Sequence, residues 1–206
     1  MPIRTYQRSP RVPSVPSIKA TGFQSAADDL AKHLESGRLS RAELEDQLEP
    51  EDLGFLGKQL AASSWVPVAT YMRVLELLIA LEGGRDVVRY LRNRGERAAE
   101  RLHKLGLYGQ FNATLETWGH RVGTITATMG AVLYNFSRWS FESDVENQSF
   151  QTTVDDATHY PEPLIAVGEG FIHYLAQNLM PEYKVEVSGT RVTPDRIVFR
   201  GTFKEG

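Results

Sequence analysis

The chain contains no cysteine, which removes disulfides, thiolate metal sites and cysteine nucleophiles from consideration and leaves the fold independent of redox compartment. It also lacks any run near the roughly 18 apolar residues of a membrane span, and its first residues form no apolar signal core. A cytoplasmic protein is the expectation. The charge is nearly balanced at -3, which gives no general reason to expect nucleic-acid binding. Acids are missing from residues 1–20, where Arg4, Arg8, Arg11 and Lys19 stand alone, leaving 19 bases against 26 acids in the remainder.

Four prolines, Pro2, Pro10, Pro13 and Pro16, punctuate that basic start. Each removes a backbone donor and restricts its neighbour, so residues 1–17 read as a flexible, Pro-rich basic arm. The arm suits an acidic partner, a membrane surface or its own domain, and equally a solvated tail. Residues 18–206 are long enough to bury one core and read as a single ligand-sensing or interaction domain.

Phe23, Ala26, Ala27, Leu30 and Leu34 recur at helical spacing, and Gly37 closes that helix. Ser40 followed by Glu43 has capping-box spacing for a second, short helix. Pro67 suits the first turn of a helix running to about Leu81, stopped by Gly83-Gly84. From Arg85 to Lys104, an apolar stripe opposes Arg85, Arg89, Arg92, Arg94, Arg97 and Arg101, a basic face expected to be solvated. Gly95 inside that helix permits close packing or marks a bend. Leu107–Trp118 reads as a short helix, separated by Gly119 and Gly123 from an apolar stretch through Phe136 that fits helix or strand.

Alternation then replaces helical spacing. Trp139, Phe141, Ser143 and Val145 share one phase, as do Phe150, Thr152 and Val154, which predicts an antiparallel pair. A helix from about Leu164 to Asn178 leads to strands around Tyr183–Val187 and Arg196–Arg200, with turns expected at Ser188-Gly189 and Thr193-Pro194-Asp195. The fold class is therefore α+β: a helical N-terminal portion packed on a C-terminal, mostly antiparallel sheet of about four strands.

No catalytic constellation emerges. Asp155, Asp156 and His159 are close in sequence but supply no identifiable third metal ligand, and they read as a polar connection. His173 is placed to meet Glu169 one helical turn away. Glu142 and Asp144 are two residues apart, which does not make a glycosidase pair, and Ser64 and Ser188 lack a nucleophile-elbow setting. Tyr71, Leu75, Phe111, Trp118, Tyr134, Trp139, Phe171, His173 and Tyr174 are the residues expected to line a pocket or an interface, with filled core as the plainer reading. Self-association through Trp65, Tyr71, Trp118 or Trp139 is a further possibility, because symmetric dimers are common.

The stretch W-V-P-V-A-T-Y-M-R-V-L-E-L-L-I-A-L-E-G-G-R-D from Trp65, the helix holding Gly95, and the late E-G-F-I-H-Y-L-A, Y-K-V-E-V and P-D-R-I-V-F resemble a myxobacterial paralogous family of uncharacterised proteins. That family is related in pattern to haem-nitric-oxide-binding and V4R domains, and the resemblance spans roughly residues 18–203. It implies helices on a C-terminal antiparallel sheet with a cavity between them, serving as ligand sensor or partner-binding module. Haem in such folds requires a proximal histidine and propionate-binding residues. No Tyr-x-Ser-x-Arg element is present here, and no histidine transfers, so neither haem, another cofactor nor a metal is expected. The functional expectation is a non-catalytic regulatory or adaptor domain binding a small apolar ligand, with a homodimeric interaction scaffold or a hydrolase with an unrecognised cleft as alternatives.

Overall fold

A computed structural model describes residues 14–104, 115–144, 146–179 and 181–205, with the backbone alone for 115–120. Most of the N-terminal arm, Phe111 and the side chain of Trp118 lie outside these residues. The chain opens with β1 (Ser17–Lys19), α1 (Ala20–Glu35), α2 (Arg41–Gln47) and α3 (Pro50–Leu53). It continues through β2 (Trp65–Pro67), α4 (Val68–Glu82), α5 (Val87–Lys104) and α6 (Leu115–Leu133). The last part is β3 (Arg138–Asp144), β4 (Ser149–Asp155), α7 (Pro163–Leu179), β5 (Tyr183–Thr193) and β6 (Arg196–Glu205). The expected architecture is present: helices precede and cover an antiparallel sheet of four strands in the order β3-β4-β6-β5. No helix among the described residues is long and apolar enough to cross a membrane.

The stripe of α1 buries Phe23, Ala26, Ala27 and Leu30 against α4, and the Phe23 and Tyr71 rings meet edge-on at 6.3 Å. Each such buried Leu or Phe contributes on the order of 1.5–3 kcal/mol. The capping box at Ser40 forms, with the Glu43 N–H donating to Ser40 Oγ at 3.2 Å and the Ser40 N–H to the Glu43 carboxylate at 2.7 Å. Phe150, Thr152 and Val154 of β4 face inward as their phase predicts, opposite Gly201, Phe199 and Ile197 of β6.

Several expectations are corrected. Pro67 does not begin a helix: Trp65-Val66-Pro67 is extended and pairs antiparallel with Ser17–Lys19, so α4 starts one residue later. That two-stranded ribbon was not anticipated, because three-residue strands carry too little alternation to register. Gly119 and Gly123 do not interrupt α6, where a Cβ at Gly123 would run into the Phe141 ring. Ser188-Gly189 is no turn but lies inside β5, and a Cβ on Gly189 would press on Ile165 at 2.7 Å and the Phe199 ring at 2.8 Å. The turn between β5 and β6 is at Pro194-Asp195.

The basic face of α5 is also less solvated than its sequence suggests. Arg94 is buried, donating to Asp29 at 3.0 Å and to the Tyr90 hydroxyl at 3.1 Å. Arg92 donates to Glu169 on α7 at 2.5 Å. Arg94 turns inward toward Asp29 of α1, whereas Arg92 stays exposed and reaches across the surface to Glu169 of α7. The α5–α7 crossing is close enough that a Cβ on Gly95 would overlap the Val167 carbonyl, and one on Gly170 the Arg92 carbonyl. Gly95 therefore serves packing, and α5 continues through it without interruption.

Candidate functional site

A cavity of about 90 Å3 lies between the helices and the sheet. Its helical wall comes from α6, where Thr126, Met129, Gly130 and Leu133 fall at the spacing of three, four and seven that places residues on one helical face. Phe171 and Ile172 of α7, Leu102 of α5 and Tyr71 of α4 complete the apolar lining, while Ile18 of β1 covers one side. Ile18 can sit there because Gly22 has no side chain: a Cβ would stand 2.9 Å from the Ile18 methyl.

The sheet side of the cavity is aromatic. Trp139 of β3 stacks on Tyr134 at 6.0 Å and on Phe199 at 6.0 Å, and Tyr134 meets Tyr160 with ring centroids 5.3 Å apart. The indole rests directly over Gly130, where any Cβ would collide with it. Burial, and after it the neighbouring Tyr71 phenol, push Tyr134 above the usual tyrosine value. Burial also raises Tyr71, and raises Tyr160 well above its ordinary value. All three stay neutral phenols at ordinary pH, able to donate hydrogen bonds.

Of the nine residues expected to line a pocket, Tyr71, Tyr134, Trp139 and Phe171 converge on this cavity. Leu75 is fully buried but belongs to the core rather than to the cavity wall. Tyr174 is turned away, its hydroxyl 3.3 Å from His103 Nδ1. His173 lines a separate groove with Arg92, Glu96 and Glu169, and its Nδ1 lies 3.1 Å from Glu96. The expected His173–Glu169 pair is thus corrected: Arg92 and the Gly189 N–H, at 2.6 Å, hold Glu169 instead. Phe111 and Trp118 fall outside the described side chains. Trp65, considered for self-association, is half-buried with the Lys19 ammonium 3.7 Å above its ring.

Sequence reasoning missed Ile18, Arg101, Thr126 and Tyr160 as lining residues. The α6 set could have been found from its three-four-seven spacing. Tyr160 follows a single 3-10 turn, Ala157–His159, and carried no periodic signal. Elsewhere, Asp155 pairs with Arg196 at 2.7 Å and Asp156 with Arg138 at 2.6 Å, as a polar connection should. No cluster of three metal-ligating side chains occurs among the described residues.

Comparison with known proteins places this geometry. No family profile matches the chain, and no curated protein does. Solved structures do: a point mutant of the Fe(II) unliganded H-NOX protein of K. algicida matches with a TM-score of 0.63, at 14% identity over 92% of this chain and 98% of that one. A point mutant of T. tengcongensis H-NOX matches at TM-score 0.58, 12% identity, and 91% and 98% coverage. An oxygen-binding H-NOX domain related to soluble guanylate cyclases matches at 0.57, 10% identity, and 90% and 92% coverage.

A porphyrin does not fit the cavity described here. At about 90 Å3 it is well below the roughly 300 Å3 at which drug-sized ligand pockets begin. His33, His103, His159 and His173 are all absent from its wall, and the His120 side chain lies outside the described residues. His33 is instead bonded to Glu82 at 2.6 Å. Nothing in the paralogous grouping suggested by sequence is carried by these matches, but the fold is: the chain is built as H-NOX domains are.

Proposed function

We propose that the chain is a non-catalytic regulatory domain that takes a small apolar ligand between its helices and its sheet. On this reading it works in the cytoplasm and signals through a protein partner, a second copy of the chain being the first to test. The observation that carries the reading is the cavity itself, aromatic and aliphatic in its depth and open where Thr21 and Arg101 reach the surface, in a domain whose fold is shared with an oxygen-binding protein. Interiors are otherwise packed to crystal-like density, so a void that persists costs stability unless something occupies it. Its size suits an occupant somewhat smaller than benzene, which fits a cavity of about 150 Å3.

Xenon is the direct probe, because it enters dry apolar cavities of this scale. Saturable xenon-induced shifts in the methyl resonances of Ile18, Met129 and Leu133 are expected, and Leu102→Trp, which fills the void, should abolish them. Native mass measurement on protein purified without added ligand reports both a retained small molecule and the subunit number. A chain that takes no xenon and retains no ligand would sink the proposal.

A further inference from the structure

The cavity wall is not uniformly apolar, and its polar part has one sign. Among the described residues that line it, Arg101 is the single charged side chain, and no aspartate or glutamate is present. Arg101 lies on the last full turn of α5, exposed at the rim, while Leu102 beside it faces the void. Two other arginines of the same helix are committed, Arg92 to Glu169 and the buried Arg94 to Asp29. Arg101 makes no ion pair among the described residues, although Glu100 next to it is paired with Lys104 at 2.7 Å.

A second observation concerns donors. Thr126 lines the cavity, is 2% exposed, and its hydroxyl has no hydrogen-bond partner among the described residues. A buried hydroxyl left unpaired is destabilising, and a helical threonine ordinarily avoids this by bonding to the carbonyl one turn back. The phenols of Tyr134 and Tyr160 share a hydrogen bond and Tyr160 donates to the Leu164 carbonyl at 3.4 Å, so Thr126 is the buried hydroxyl on this wall left open. The lining thus combines apolar walls, an open hydroxyl and one guanidinium whose planar fork matches a carboxylate.

We infer that the ligand is a small monocarboxylate with a short apolar tail, its carboxylate held at the rim by Arg101 and its tail inside against Met129, Trp139 and Phe171. This rests on the ligand-binding reading above and names the chemical class of the occupant. The size of the void limits the enclosed tail to about three or four carbons. Thr126 positions the bound molecule by donating to an acceptor oxygen on it. A plain solvated arginine would leave binding indifferent to ligand charge, so charge selectivity is the property to measure.

The probes are isobutyrate and 2-methylpropan-1-ol, which share an isopropyl tail and differ in the carboxylate, titrated by calorimetry into the full chain at pH 7. Isobutyrate is expected to bind at least about tenfold more tightly than the alcohol, the low end for a charge-assisted hydrogen bond. Arg101→Gln should erase that preference while leaving the alcohol affinity unchanged, and Arg101→Lys should retain part of it, a point charge without the fork. Arg101 is exposed, so these variants fold, which unchanged thermal melts would verify. If the alcohol binds as tightly as isobutyrate, or Arg101→Gln leaves isobutyrate affinity unchanged, the carboxylate assignment is overturned while the cavity reading stands. Failure of both probes to bind, in a protein that also takes no xenon, overturns both.

Discussion

Two seams of this molecule are built on glycines, and they work in opposite ways. Between α5 and α7, Gly95 and Gly170 bring backbone against backbone, so that a side chain at either would meet a carbonyl of the other helix. Between α6 and β3, Gly123 and Gly130 receive the rings of Phe141 and Trp139. The first seam is closed by main chain, cannot yield, and is clamped by Arg92–Glu169. In the second, side chains fill a wider gap, and the cavity is what they leave unfilled. The two seams thus differ in what meets the glycines, backbone in one and rings in the other, while α5 and α7 also lend Leu102, Phe171 and Ile172 to the cavity wall.

The strongest way to break this comparison is Gly95→Ala or Gly170→Ala. The new methyl would overlap a backbone carbonyl that has no room to move, and a loss of about 3 kcal/mol or more is expected in urea unfolding, even though alanine favours the helix by about 1 kcal/mol. Asp52→Asn follows, at about 2 kcal/mol, discounted because its partner Arg73 is one-third exposed. Burial pushes the Asp52 carboxyl up, but Arg73, Thr70 and the Glu49 N–H together outweigh it and leave it below its ordinary 3.8. Its folded value being depressed, its stabilisation is present above about pH 4 and is lost as pH falls through the folded value. The variant should therefore flatten the acid limb of a stability–pH profile. Asp29, lowered through Lys32 and Arg94 against its own burial, adds to the same limb.

On the other seam, Gly130→Ala should cost less, about 1–2 kcal/mol net, because its methyl meets the Trp139 side chain rather than backbone and the helix gains from alanine. The indole emission should shift as the ring leaves its stack with Tyr134. Equal costs for Gly95→Ala and Gly130→Ala would dissolve the distinction between the seams. The smallest effect belongs to Thr126→Val, near-isosteric and relieved of the unpaired hydroxyl, which should leave the free protein unchanged or up to about 1 kcal/mol more stable in thermal unfolding while weakening a bound acceptor.

How much of this was legible in sequence follows the same division. Periodicity located the helices and the inward phase of β4, because each side chain there reports its own face. Of the aromatics expected to line a pocket, Tyr71, Trp139 and Phe171 stand on periodic elements and Tyr134 directly follows α6, and these four border the cavity. Periodicity could not find the burial of Arg94 or the pairing of Arg92, since their acidic partners are 65 and 77 residues away. Glu169 was assigned to its i,i+4 neighbour His173 for the same reason: local spacing was visible and the crossing helix was not. Gly189 read as a turn because glycine marks turns and close approaches alike, and only the Phe199 ring across the strand pair distinguishes them. Arg101 looked like one more solvated arginine, and its place in the wall depends on how α5 is rotated against α6.

The ribbon of β1 and β2 carries a consequence for the order in which the chain assembles. The Ser17 N–H donates to the Asn135 side chain at 2.7 Å across 118 residues of sequence, and Asn135 in turn donates to the Val15 carbonyl at 2.9 Å. Ile18 also bridges to Tyr134. During synthesis, the first strand emerges long before the end of α6 that it must meet, and so distant a closure is slow. Ile18, which covers the cavity, can be held early by its pairing with Val66, but its contact with the end of α6 closes only after residue 135 has been made, and the α7 part of the same wall follows later still.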